Sequence, residues 1–91
     1  MSKKKLKMTH RFRKQAQDLP QEIKNSMQTN LEKLIEDPFY NSLHTKKIKG
    51  TNIFSSRINK QYRFSWQFKE GNIIILRNVD KHDDLYNSPE F

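Results

Sequence analysis

Between Tyr62 and Phe68 the chain alternates without a break, with Tyr62, Phe64, Trp66 and Phe68 on one parity and Arg63, Ser65 and Gln67 on the other. Successive side chains of a strand point to opposite faces, so this stretch predicts a strand with one apolar and one polar face. Such a row of large rings needs a covering layer. The fold is thereby constrained to a sheet buried on one side, and the rest of the chain must supply the cover.

The preceding segment, residues 53–58, has the same period: Phe54, Ser56 and Ile58 alternate with Ile53, Ser55 and Arg57. Residues facing each other across a hairpin share a face. A three-residue loop, Asn59-Lys60-Gln61, satisfies this by pairing Ile58 with Tyr62 and Arg57 with Arg63, whereas a two-residue loop would set Arg57 against Tyr62 and mix the faces. Two like charges directly opposite destabilise a sheet, so the arginine pair calls for a compensating group, and an anionic ligand would serve. Glu70-Gly71-Asn72 then turns the chain into Ile73 to Val79. Ile73, Ile74, Ile75 and Leu76 are apolar on both parities, which marks a central strand and leaves the face of Arg77 undetermined.

The cover comes from the N-terminal half. Met8, Phe12, Ala16 and Leu19 recur at helical spacing behind Thr9, a good N-cap, and predict a helix over about 9–18, with a short strand at Lys5 to Met8 before it. Pro20 interrupts and suits the first turn of a second helix. There Ile23, Met27, Leu31, Leu34 and Ile35 form one stripe that ends before Asp37-Pro38. The expected architecture is a single α+β domain over residues 1–91. An N-terminal helical hairpin packs on one face of a three- or four-stranded, mainly antiparallel sheet, and the other face is open and basic.

A chain of 91 residues buries only roughly 60 to 65% of the surface its unfolded form exposes, so the core is thin. Six Phe, three Tyr and one Trp give it large anchors although only 33% of residues are hydrophobic. The absence of cysteine excludes disulfides and thiolate zinc sites and fits a reducing cytosol. No apolar run resembles a signal h-region or a membrane span, so a cytoplasmic protein without membrane contact is expected. The formal charge is +8. It is concentrated in residues 1–14 and 44–63, which contain no acid, while all ten acids lie in the remaining segments. Two basic blocks of this kind are the electrostatic footprint of a nucleic-acid binder.

The residues with chemistry to offer gather near the C-terminus, in V-D-K-H-D-D-L-Y (Val79 to Tyr86). His82 follows the apolar strand beside Asp80, Asp83 and Asp84 and is a candidate proton donor or acceptor near neutrality. Tyr86 is a candidate acid or stacking platform. The other two histidines, His10 and His44, are far apart in sequence and read as surface residues. The aspartates read as solvating groups rather than metal ligands, and no cofactor is implied. Lys46, Lys47 and Lys49, just before Gly50, could track a phosphate backbone, with Lys60 and Arg77 added to the RNA-contact set. One reaction fits these groups together. RNA carries its own nucleophile, the 2′-hydroxyl, so strand cleavage needs a base, cations to stabilise charge at phosphorus, and an acid for the departing 5′ oxygen.

The order of F-R-K-Q-A-Q-D-L-P (Phe12 to Pro20), an L…E-D-P near the second helix, L-H-T-K-K-I-K-G (Leu43 to Gly50), I-F-S-S-R-I-N-K-Q-Y-R-F (Ile53 to Phe64) and N-V-D-K-H-D-D-L-Y (Asn78 to Tyr86) resembles the RelE/ParE superfamily of type II toxin–antitoxin toxins across nearly the whole chain. That resemblance implies the same helical hairpin on a small antiparallel sheet. In the RelE branch it implies a ribosome-dependent endoribonuclease that cuts messenger RNA without a metal, with a cognate antitoxin, the ribosome and mRNA as partners. By position, Arg63 matches the branch's phosphate-stabilising arginine, and Arg57 falls near a basic position of the preceding strand. His82 falls where members carry a catalytic arginine or histidine, and Tyr86 matches a near-terminal tyrosine. Ser55 stands where RelE has a lysine, and little chain remains beyond Tyr86 for a further helix. ParE-like relatives share the fold but inhibit DNA gyrase, which makes gyrase inhibition the alternative, with a non-catalytic RNA-binding domain as a third reading.

Overall fold

The computed structural model describes residues 3–87, except the side chains of Asp83, Tyr86 and Asn87. In chain order the elements are β1 (Lys5–Met8), α1 (His10–Gln17), α2 (Gln21–Glu36), a 3₁₀ turn (Asn41–Leu43), β2 (Lys46–Lys47), β3 (Phe54–Arg57), β4 (Tyr62–Lys69), β5 (Ile73–Lys81) and α3 (His82–Asn87). The strands form one sheet in the order β1-β5-β4-β3-β2. β1 runs parallel to β5 and every other pairing is antiparallel. The sheet therefore has five strands rather than three or four. The middle position belongs to β4, and β5 lies between it and β1.

Thr9 starts α1 as its pattern predicts: its backbone is extended and its Oγ1 accepts the Phe12 amide at 3.1 Å. The same hydroxyl donates to the Arg77 carbonyl at 3.0 Å, so the cap also fastens α1 to β5. Pro20 is the N-cap of α2 rather than a residue of its first turn. A proline is tolerated at this end because the first amides of a helix have no intrahelical acceptor. The apolar faces of both helices land on the sheet, with Phe12 of α1 and Ile23, Met27, Leu31 and Leu34 of α2 in one core with Phe64, Trp66, Ile74, Leu76 and Val79. Each fully buried side chain of this size contributes about 1.5 to 3 kcal/mol. Phe68 departs from its row: it sits toward the sheet's end and is 41% exposed.

The β3–β4 hairpin has the register set by its three-residue loop, with Arg57 opposite Arg63. Ile58 N donates to Tyr62 O at 2.9 Å, and Asn59 Oδ1 accepts both Gln61 N and Tyr62 N at 2.8 Å, closing the turn. The next turn uses left-handed backbone at Gly71 and Asn72, with φ of 84° and 65°. These are the residue types that adopt this region at least cost.

One irregularity governs the functional end of the sheet. Ser65 pairs with Asn78 but Trp66 pairs with Leu76, so Arg77 is an extra residue in β5. This bulge changes the phase of the strand, so that Ile74 and Leu76 before it and Val79 after it are all buried. It also settles Arg77, whose guanidinium Nη1 donates to Gln67 Oε1 at 2.7 Å on the face away from the helices. Among the described residues no helix is long and apolar enough to cross a membrane.

Candidate active site

The segment following β5 is an ordered element. β5 runs through Lys81, and residues 82–87 form α3, a helix the sequence pattern did not predict. Its anchor is Leu85, 1% exposed. Its start is pinned from the other side, since the His82 amide donates to the Gln61 carbonyl at 2.7 Å. The β3–β4 loop and the β5–α3 junction thus meet at one end of the sheet.

An open cleft of about 610 Å³ forms at this meeting point, lined by Arg57, Lys60, Gln61, Lys81, His82 and Asp84. Three fixed cations and an imidazole face a single carboxylate, so the cleft is positive and suited to a phosphate. Of the residues singled out by sequence, Arg57, Lys60 and His82 come together here. Asp84 joins them as the carboxylate already noted beside His82, and Lys81 and Gln61 join them unforeseen. Lys81 lies directly opposite Tyr62. A β4–β5 register drawn without the bulge would put Asp80 there instead and hide this neighbour.

Arg63 is placed differently from expectation. It stands opposite Arg57 on one side and Asp80 on the other, but it is only 5% exposed. Among its partners, the His44 carbonyl accepts from Nη2 at 2.8 Å, the Ser55 carbonyl accepts from Nη2 at 3.1 Å, and Ser55 Oγ accepts from both Nη2 and Nε. The expected open cation is therefore a buried clamp between the 3₁₀ turn and β3. This also answers the like-charge pairing of Arg57 with Arg63: one guanidinium turns inward onto carbonyl oxygens while the other serves the cleft. His44 presents its carbonyl from a left-handed backbone, φ 46°, a conformation costly for a residue with a Cβ. Its contribution is this backbone carbonyl, and its side chain is exposed, as expected of a surface histidine.

The remaining candidates spread out. Lys46 and Lys47 occupy the edge strand β2 and are both exposed, but consecutive strand residues point to opposite faces. Lys46 pairs with Ser55 and so shares the face of Arg57, whereas Lys47 pairs with Phe54 on the helix side. Lys49 is exposed in the loop before β3. The assignment of Tyr86 rests on a side chain outside the described residues, although its backbone belongs to α3.

A helical hairpin laid over a small, mainly antiparallel sheet, with a charged cleft at the end of its last strand, defines a class of small α+β proteins with solved representatives. No protein-family model and no curated protein matches the chain. Among solved structures, a chain of the archaeal RelE–RelB complex from Pyrococcus horikoshii matches with a TM-score of 0.75 and 17% identity, over 87% of this chain and 94% of that one. The YoeB/ParE toxin from Agrobacterium tumefaciens matches with a TM-score of 0.75 and 18% identity, over 86% and 98%. YafQ from Escherichia coli gives 0.71 and 10% identity, over 92% and 99%. The chain has the fold of the RelE/ParE toxins.

Proposed function

We propose that this chain is the toxin of a type II toxin–antitoxin system and an endoribonuclease acting on ribosome-bound messenger RNA in the cytoplasm. The observation that carries this reading is the convergence of His82 with Arg57, Lys60 and Lys81 around one cleft. In the proposed reaction His82 exchanges the proton, as base for the 2′-hydroxyl or as acid for the 5′ oxygen. The hydroxyl oxygen attacks the adjacent phosphorus, and the bond to the 5′ oxygen breaks. Arg57, Lys60 and Lys81 offset the negative charge that accumulates on the phosphoryl oxygens, the kind of term that dominates phosphoryl chemistry. Arg63 contributes its charge through the sheet and holds the strand that carries Arg57. Tyr86 is proposed as the second proton-handling or stacking group. Lys46 and Arg77, on the face of Arg57, extend the RNA contact, with Lys49 from the loop before β3.

A cognate antitoxin is the proposed protein partner, in keeping with the toxin–antitoxin complexes among the similar structures. Its acidic or amphipathic segment would cover the basic face. Ribosome-dependent cleavage by wild type and His82→Ala tests the enzyme reading: the variant should leave message intact where wild type cuts it. One observation favours the alternative of ParE-like gyrase inhibition, namely that Arg63 is buried against carbonyls and so withdrawn from direct contact with substrate. Blocked gyrase supercoiling with ribosome-bound message intact would establish that alternative.

A further inference from the structure

Far from the cleft, the helix side of the sheet carries a second concentration of unusual side chains. Phe54, Trp66 and Phe68 pack as a ring cluster, with Trp66 stacked on Phe54 at 4.8 Å and Phe68 edge-on to Trp66 at 4.9 Å. Phe39, from the segment after α2, closes the group at 5.7 Å from Phe54 and 6.4 Å from Phe68. Trp66 is fully buried and its Nε1 donates to Ser56 Oγ at 2.8 Å, so the floor of the cluster is fixed. Among the described residues nothing covers its rim: Phe39 is 55% exposed, Phe68 41% and the adjacent Tyr40 51%. Neighbouring large aromatics left in water mark a binding surface more often than a packing remainder.

The charges around the rings identify what such a surface would take. Lys4 Nζ lies 5.5 Å from the Phe68 ring centroid and Lys33 Nζ lies 5.6 Å from that of Tyr40. Lys47 is opposite Phe54 on β2 and shares its face. Of the acids near in sequence, Glu36 pairs with Lys3 at 3.0 Å and Asp37 Oδ1 accepts the Phe39 amide at 3.0 Å, while Glu70 is exposed two residues after Phe68. Rigid exposed rings bordered by lysines combine the two elements that hold single-stranded nucleic acid: faces for bases and cations for the backbone between them.

We infer that Phe39 and Phe68 form a stacking platform for an unpaired nucleobase of single-stranded RNA, with Lys4, Lys33 and Lys47 holding the flanking phosphates. The platform is an exosite. From Tyr62, beside the cleft, to Phe68 is six strand residues, on the order of 20 Å. Because Phe68 lies on the helix side and Arg57 on the other face, one RNA strand could touch both only by running along the sheet and passing round its edge. Lys4, which lies over the Phe68 ring in the free protein, moves aside to a phosphate when a base arrives. The inference rests on the RNA reading of the cleft but assigns RNA contacts which that reading does not require.

The test is fluorescence anisotropy of the full chain with a labelled, single-stranded, 2′-O-methylated oligoadenylate, whose blocked nucleophile prevents cleavage. Stacking losses predict that Phe39→Ala and Phe68→Ala each weaken binding roughly tenfold, while Phe39→Trp retains it. A duplex of the same length, whose bases are not free to stack, should show no dependence on Phe39. Phe39 is 55% exposed, so its variants should keep the wild-type far-ultraviolet circular dichroism and melting profile, which verify folding. Wild-type binding by Phe39→Ala and Phe68→Ala, with cleavage intact, overturns the exosite and leaves the cleft reading standing. Failure of wild type to bind the oligonucleotide even at low salt also overturns the exosite, while the cleft reading stands or falls by the ribosome-dependent cleavage assay. Unchanged RNA binding with loss of antitoxin neutralisation in Phe39→Ala overturns the inference by assigning the patch to a protein partner.

Discussion

Asn30, buried on α2, donates from its side-chain amide to the Arg57 carbonyl at 2.7 Å and to the Ile58 carbonyl at 3.1 Å. A helix residue thereby fixes the end of the strand from which Arg57 reaches the cleft. Removing the amide leaves two strand carbonyls without this donor. Asn30→Ala should lose about 1 to 3 kcal/mol of stability. Asn30→Asp should lose more, because a carboxylate would face two carbonyl oxygens. Urea unfolding gives both values, and an unchanged midpoint for Asn30→Ala would refute the tie.

Arg63 should behave as a structural residue before it behaves as a catalytic one. Breaking its bonds to His44 and Ser55 predicts that Arg63→Ala loses about 1.5 to 3 kcal/mol. For a domain of this size each kcal/mol lowers the melting temperature by about 4 to 8 °C. Arg63→Lys should recover little, since an ammonium cannot reproduce the planar fork. A melting temperature equal to wild type in Arg63→Ala would return the residue to a purely electrostatic role.

His82 is exposed at the start of α3, so its side chain carries little of the fold. His82→Ala should leave stability within about 0.5 kcal/mol of wild type. Single-turnover cleavage of ribosome-bound message should nonetheless fall by about 10² to 10⁴, the usual range for a general acid or base. Growth arrest on induction should be relieved in parallel. Undiminished cleavage would remove His82 from the mechanism.

Leu85 does not line the cleft, yet it is the buried anchor of α3. Leu85→Ala should cost about 2 to 5 kcal/mol. Its more telling signature is local. The His82 amide, protected by the Gln61 carbonyl, should exchange with solvent much faster than in wild type. Equal exchange rates would mean that the junction is held by something other than α3 packing.

What the sequence disclosed and what it withheld follow from the range of each interaction. The Arg57–Arg63 pairing was legible because a three-residue loop and strict alternation leave one consistent register. The helices were legible because their apolar stripes span several turns. α3 was not, since one buried leucine in a short polar helix produces no periodicity. The bulge at Arg77 was equally silent: an apolar run on both parities looks the same with or without an extra residue. That single omission shifts the end of β5 by one position and conceals Lys81 as a partner of the cleft. The inward turn of Arg63 depends on the carbonyl of His44, 19 residues away, which local pattern cannot reveal.

The parallel pairing of β1 with β5 joins Lys5 to Ile73 and Met8 to Leu76. β1 is thus left without its partner until β5 has been made. Contacts so distant in sequence form late, and His82 and α3 are synthesised later still. The cleft therefore assembles only after the sheet that carries it, and vectorial synthesis separates the folding of the helical cover from the completion of the site.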